Sequence, residues 1–303
     1  MKTVACTVCS GNYHYGVAAL ANSLHAVGYV GNFWIGYQGD LPPWVTDPIN
    51  KEGYSQYSVT PNFKLQFIRL PTDMFISKYK PFLMRRVFEF EGISEMAVAY
   101  IDADSVVKAD WRFFEDWAEL GVGACIDGHF VVTETHPWRR KWSDVASELG
   151  YSCRNVHQYL CSAFVLVSCR EINFLKVWEE VINYVQTNKI GSRLDYRSGF
   201  FMNDQCEFNV AFMATNSNYS FVGPDGLDYN SLGFILSTCI GTIKPWQMSL
   251  WELIKKGNLR LSYPHKLFWK NVAGPISPFS EFSLFCSKLK ICIANILARF
   301  YGA

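Results

Sequence analysis

A chain of 303 residues, half of them hydrophobic and only 18% charged, has enough apolar surface for one large folded domain or two modest ones, which excludes intrinsic disorder. Its formal charge of +1 excludes the broad basic field of a dedicated nucleic-acid binder. Aromatic residues reach 16%, a share that suits core filling together with sugar-stacking or membrane-facing surface.

Taken in chain order, Thr3–Thr7 reads as a buried strand, the segment 11–16 (GNYHYG) as a loop, and Val17–Val27 as a helix with Val17, Leu20, Leu24 and Val27 on one face. Asn32–Tyr37 is a second strand. Residues 39–61 hold Pro42, Pro43, Pro48 and Pro61 and read as loop. A strand at Lys64–Leu70 and a helix at Pro81–Phe90 come after it. Next is an apolar strand ending in Asp102 and Asp104, then a strand at Gly121–Ile126 and an exposed, charged helix at Trp138–Gly150. The second half continues with a strand at Tyr159–Ser168, a helix at Phe174–Thr187, a helix at Asn203–Ala214, and a loop-rich stretch over 223–241. From Ser249 onward, aromatic and basic residues alternate. Strands alternating with helices predict an α/β fold, and in such sheets ligands bind beyond the carboxyl ends of the strands. The 11–16 loop and Asp102/Asp104 both fall at such ends.

The ten cysteines have no framework spacing. Cys6 and Cys9 form a C-x-x-C within the first strand with no second pair nearby, which fits buried small hydrophobes in a reducing compartment. The start of the chain is too short and too polar for a signal peptide, and no run of about eighteen apolar residues predicts a membrane-spanning helix.

Asp102 and Asp104 carry the first chemical signal. Alternation along a strand would put them on one side, with Ala103 facing away, so that both could grip one hard cation such as Mg²⁺ or Mn²⁺. Asp-x-Asp also occurs where carboxylates merely bond local backbone, so the pair alone does not decide. In the first loop, the face of Tyr13 suits a planar base. Lys244 suits phosphate oxygens, and Gly241 would let backbone approach them closely. Asp204 and Gln205 open a helix, where either Asn203 or Asp204 can serve as the cap.

Four segments, in order and spacing, resemble the retaining glycosyltransferases of family 8, the group of glycogenin and the bacterial lipopolysaccharide galactosyltransferases. They are NYHYG at 12–16 running into ANSL at 21–24, YIDADS at 100–105, NDQCEFN at 203–209, and TCIGTIKPW at 238–246. The resemblance covers roughly residues 3–247, and Asp-Gln-x-x-x-Asn and Gly-x-x-Lys-Pro-Trp are its most specific elements. It implies a GT-A fold, a Rossmann-like mixed sheet flanked by helices. It also implies transfer of a sugar from a nucleotide sugar, a UDP-sugar, to a glycan or glycolipid acceptor, assisted by Mn²⁺ or Mg²⁺.

The resemblance assigns donor binding to Thr7, Tyr13, Arg85, Asp102, Ala103, Asp104, Asn209, Gly241 and Lys244. Arg85 stands there as the one basic residue among Lys80, Arg85 and Arg86 that would reach a phosphate. Asp102 and Asp104 are the implied metal ligands. Asp204 would bond sugar hydroxyls and Gln205 would sit beneath the anomeric carbon. A neutral amide is a poor nucleophile, so front-face attack fits better than a covalent intermediate. One position departs from the family: its usual third metal ligand, a histidine, is Thr238 here, which predicts weaker metal binding.

The sequence therefore predicts a GT-A domain over 1–247 and a tail over 248–303. In the tail, Lys288, Lys290 and Arg299 interleave with Phe282, Phe285 and Phe300 in an amphipathic helix over 280–301. Such a helix suits a membrane interface, and equally suits closure of the domain core. The expected placement is cytoplasmic, peripheral on the inner face of a membrane. Two rival functions stand beside transfer: a catalytically degenerate protein that binds nucleotide or glycan, and a sugar-1-phosphate nucleotidyltransferase, whose glycine- and arginine-rich first loop is missing.

Overall fold

The structure, a computed structural model, describes residues 1–92, 94–192, 195–201, 204–228, 233–241, 243–249 and 261–300. Asn203 and the segment 250–260 lie outside the described residues, as does Tyr301 at the end of the predicted C-terminal helix.

The elements in order are β1 (Lys2–Ser10), α1 (His14–Ala26), β2 (Gly31–Gln38), β3 (Ile49–Lys51), β4 (Tyr54–Thr60), β5 (Phe63–Arg69), α2 (Lys80–Glu91), β6 (Met96–Ile101), β7 (Ser105–Val107), α3 (Trp111–Trp117) and β8 (Val122–Ile126). Then come α4 (Pro137–Glu148), β9 (Leu160–Ser168), α5 (Asn173–Thr187), α6 (Gln205–Ala214), β10 (Tyr219–Val222), β11 (Leu236–Thr238), α7 (Tyr263–Asn271) and α8 (Glu281–Phe300). Nine strands form one mixed sheet in the order β10-β8-β9-β6-β1-β2-β5-β4-β3. β1 runs parallel to both β2 and β6, whereas β9 runs antiparallel to β6 and β8.

The alternation of β1 explains its burial on both sides. Val4, Cys6 and Val8 join one core with α2, α4, α5 and α6, while Ala5 and Cys9 join another with α1 and α3. Cys6 and Cys9 thus serve two different packing layers and share no site. α4 is not exposed throughout: it buries Arg139, Trp142, Val145 and Ala146 on one face.

The proline-rich stretch contains more structure than the sequence predicts. β3 and β4 form an antiparallel hairpin around Glu52 and Gly53, with Gly53 at φ 82°, and β4 pairs with β5. Three residues are enough for β3 because it is an exposed edge strand.

The tail packs against α1. The Asn22 amide donates to the carbonyls of Asn271 and Ile276 at 2.7 and 2.8 Å, and Phe268, Trp269 and Val272 bury with Ala19. Leu284 and Ile291 of α8 face the same cluster.

Candidate functional site

β1 and β6 are parallel neighbours, so their carboxyl ends open onto the same edge of the sheet. The segments that leave these two strands meet at that edge. A Cβ on Gly16 in the first turn of α1 would stand 2.2 Å from the Ala103 carbonyl oxygen and 3.0 Å from the Trp246 ring. Only glycine lets α1 lie this close to the aspartate turn.

Asp102 and Asp104 are not on a strand. β6 ends at Ile101, and the amide of Ser105 donates to the Asp102 carbonyl at 3.0 Å, closing a tight turn into β7. Strand alternation therefore does not place the pair. The turn sends the two carboxylates to two different lysines. Asp102 Oδ1 lies 3.1 Å from Lys80 Nζ and accepts from the Tyr100 hydroxyl at 2.9 Å. Asp104 Oδ2 lies 2.5 Å from Lys244 Nζ, which also donates to the Cys239 carbonyl at 2.7 Å.

Lys80 reaches a third carboxylate as well. Its Nζ is 2.7 Å from Asp204 Oδ2 and donates to the Ser162 carbonyl at 2.9 Å. The side chain is 2% exposed. Burial alone would lower the lysine pKa, but attraction from Asp102 and Asp204 outweighs it and raises the value, so the ammonium stays charged. Lys244 behaves in the same way, with Asp104 outweighing burial. Burial raises the Asp102 pKa, and Asp104 and Asp204 add to this, while Lys80 opposes it.

Asp204 sits at the N-cap position of α6, but its side chain makes no capping bond. Its carboxylate is committed to Lys80 instead. Gln205 Nε2 donates to Asp127 Oδ2 at 2.8 Å, and Asp127 Oδ1 accepts the amides of His129 and Phe130. That end of the Gln205 amide is thereby fixed, and its oxygen faces the Ser162 amide at 3.4 Å.

The other predicted residues divide into two groups. Tyr13 joins the cluster: its ring meets Trp246 edge-on at 5.4 Å, and Lys244 Nζ lies 5.9 Å from its centroid. Gly241 is there by conformation, with φ 111° and open space where a Cβ would stand. Arg85 is not brought to the cluster. It extends from α2 to Glu179 on α5, with Nε 2.9 Å from Oε1, and the cation of this region that faces the cleft is Lys80. Asn209 is fully enclosed; its amide exchanges both bonds with Leu160 and donates to the Gln205 carbonyl, pinning α6 to β9. Thr7 is also fully enclosed, in β1. Neither residue presents surface to a donor. Ala103 is buried against Gly16.

The Thr238 hydroxyl is engaged within the fold. β11 pairs with β7, and the Thr238 hydroxyl bonds that of Ser105 at 2.9 Å. Among the described residues no group of three His, Cys, Asp or Glu side chains is arranged to hold a metal ion. His265 bonds the Ser262 hydroxyl through Nδ1, and burial with nearby Lys244 holds its pKa down. The oxygen-only pair of Asp102 and Asp104 fits a hard divalent ion that takes its remaining ligands from phosphate and water. Such an ion would have to share those carboxylates with Lys80 and Lys244.

No family model matches the sequence, and no curated protein matches it significantly. Solved structures do. The galactosyltransferase LgtC, determined with donor and acceptor sugar analogs, superposes with a TM-score of 0.56 over 92% of this chain and 98% of LgtC, at 15% identity. The fold is GT-A. The bifunctional glycosyltransferase WbbM matches with a TM-score of 0.54 at 13% identity, over 94% of this chain and 51% of its own. GlyE of Streptococcus pneumoniae matches with 0.54 at 13%, over 95% and 63%. The chain thus spans nearly all of the first neighbour and between half and two thirds of the other two.

Within this GT-A frame, the sequence does not single out Asp127, and among Lys80, Arg85 and Arg86 it points to Arg85 where the cleft holds Lys80. Asp127 comes directly after the apolar strand β8, just as Asp102 comes after β6, a signal present in the sequence. Lys80 occupies the first position of α2, where a cation opposes the helix dipole. Its unfavourable place is itself a clue that something else holds it there.

Proposed function

We propose that this chain is a retaining glycosyltransferase that moves a sugar from a UDP-sugar to a glycan or glycolipid acceptor. The observation that supports it is the position of Lys80 between Asp102 and Asp204. One ammonium ties the phosphate side of the cleft, at the aspartate turn, to the sugar side, at the start of α6. Lys244 stands on the phosphate side and can meet charge that develops on the leaving diphosphate. Asp204 orients the sugar through its hydroxyls, and Asp127 sets which end of Gln205 faces the reacting carbon. The Gln205 oxygen then offers a lone pair to a cationic anomeric centre without forming a bond, which suits front-face attack and retention. Tyr13 covers the base. A divalent ion bound by Asp102 and Asp104 with the diphosphate would supply Lewis-acid stabilisation of the leaving group.

The test is turnover of a panel of UDP-sugars with and without Mn²⁺, in wild type and Asp104→Ala. Metal-stimulated hydrolysis or transfer that disappears in the variant is the expected result. A second reading, a binding protein that has lost catalysis, draws on Thr238 and its bond to Ser105. Donor-induced thermal stabilisation without turnover would favour that reading and overturn the first.

The acceptor side of this proposal involves a membrane surface. No described helix is long and apolar enough to cross a bilayer. α8, however, turns Phe282, Phe285, Leu289, Ile293 and Ile296 outward, with Phe282 76% and Phe285 63% exposed. Lys288, Lys290 and Arg299 are the charges of the helix beyond its first residue, Glu281. An apolar stripe with basic flanks favours an anionic lipid interface, whereas two copies would bring like charges together. Co-sedimentation with phosphatidylglycerol vesicles, lost in Phe285→Ser/Leu289→Ser, checks this; binding unaffected by the variant speaks against it.

A further inference from the structure

Outside the cleft, Arg139 is a buried charge with no ion pair among the described residues. It lies in the first turn of α4 and is 5% exposed. Buried arginines are normally paired with carboxylates. Among the described residues Arg139 has no such partner. Its Nη2 donates to the carbonyls of Val132 and Gln158 at 3.1 and 2.6 Å, its guanidinium lies over the Trp142 ring, and Nε and Nη1 make no hydrogen bond. Burial lowers its pKa to about 10, so it remains charged at neutral pH.

Arg154 approaches from the loop before β9. Nε and Nη1 donate to the carbonyls of Phe212 and Ser217, and Nη2 is unpartnered. Both arginines line a cavity of about 760 Å³ between α4, the 153–156 loop and the end of α6, and Arg140 and Lys141 stand on its wall. Two carboxylates also line it. Glu134 is engaged by His157 at 2.8 Å, and Asp144 is exposed. The wall therefore holds four permanent cations against two anions. Met213 borders this cavity and Gln205 begins the same helix, which separates the cavity from the sugar cleft by roughly 12 Å of helix.

We infer that this cavity is an anion site, built for a phosphoryl group and separate from the donor cleft. Three guanidinium nitrogens on the two arginines are buried without a partner among the described residues, and the planar fork of arginine suits the oxygens of a phosphoryl group. The cavity would hold its anion whether or not the cleft transfers sugar. Its ligand is either free phosphate or a phosphate carried on a sugar.

The test uses the full chain and inorganic phosphate, with hexose 6-phosphate as a second probe, monitored by thermal shift and calorimetry. Arg139→Met is the direct variant, but it releases two carbonyls and can unfold the loop. Ser143→Glu, on the cavity wall, is the second. It supplies an internal carboxylate, so it should raise the melting temperature by itself and weaken phosphate binding roughly tenfold or more. Lys244→Ala should leave the phosphate response intact, which separates this cavity from the donor cleft. Tighter binding of the phosphosugar identifies a carried phosphate, and equal binding identifies the free ion. No phosphate response in the low millimolar range, or an undiminished response in Ser143→Glu, overturns the proposal.

Discussion

Lys80 and Asp204, separated by more than a hundred residues in sequence, meet as a buried ion pair 2.7 Å apart, and Asp102 shares the same ammonium at 3.1 Å. Removing the lysine leaves two carboxylates facing each other without a cation. Lys80→Met should cost about 3–5 kcal/mol of stability, measured by denaturant unfolding. Adding Asp204→Asn should restore much of that stability but no turnover. Full activity in either variant would remove Lys80 from the site.

Glu207 adds a pH dependence. It is 1% exposed, its Oε1 pairs with Lys78 at 2.8 Å, and its Oε2 has no partner among the described residues. Burial raises its pKa to about 7, although Lys78 opposes the shift. The folded state therefore binds this proton more tightly than the unfolded state. The resulting stabilisation is complete below the unfolded value near 4.5 and is lost as pH rises through about 7. The loss is at most roughly 3 kcal/mol. Glu207→Gln should flatten the stability profile between these limits, and an unchanged slope in urea titrations at several pH values would contradict this.

The bond from Gln205 to Asp127 predicts a kinetic signature. Asp127→Asn can present an amide N–H where an acceptor is needed, which turns the Gln205 amide over. We expect kcat to fall by roughly tenfold or more with little change in KM, because only the reacting geometry is disturbed. A rise in KM at constant kcat would make Asp127 a binding residue.

Gly16→Ala tests how closely α1 approaches the aspartate turn. The added carbon would lie 2.2 Å from the Ala103 carbonyl oxygen, so helix or turn must move. A cost of about 1–3 kcal/mol is expected, together with weaker donor binding in calorimetry. Unaltered donor affinity would mean that the turn does not form part of the donor site.

Thr238→His supplies the imidazole that the resemblance to family 8 would place at this position, at the expense of the Ser105 bond. It should tighten Mn²⁺ binding in the presence of UDP by roughly tenfold, or about 1.4 kcal/mol, read from electron paramagnetic resonance of free Mn²⁺. No change would show that β11 holds this position away from the ion.

The sequence by itself determined the layered α/β order and the strand-end position of Asp102, because buried strands and amphipathic helices write their periods locally. It also marked Asp204, Gln205, Lys244 and Tyr13, whose motifs are short and continuous. It placed the phosphate-reaching cation at Arg85 and read the β3–β4 hairpin as loop, because Glu52-Gly53 is not among the usual two-residue hairpin signals and only Gly53, at φ 82°, marks the turn. A lysine that is buried and a neighbouring arginine that is only half-buried look alike in one dimension. Only the tertiary structure brings α6 and the aspartate turn to Lys80 and sends Arg85 to Glu179. Only it encloses Thr7 and Asn209, leaves Arg139 without a carboxylate among the described residues, and closes Thr238 onto Ser105. Which charges lose their water, and which partner each then finds, depends on segments far apart in the chain, and pairing at that range has no local period to read.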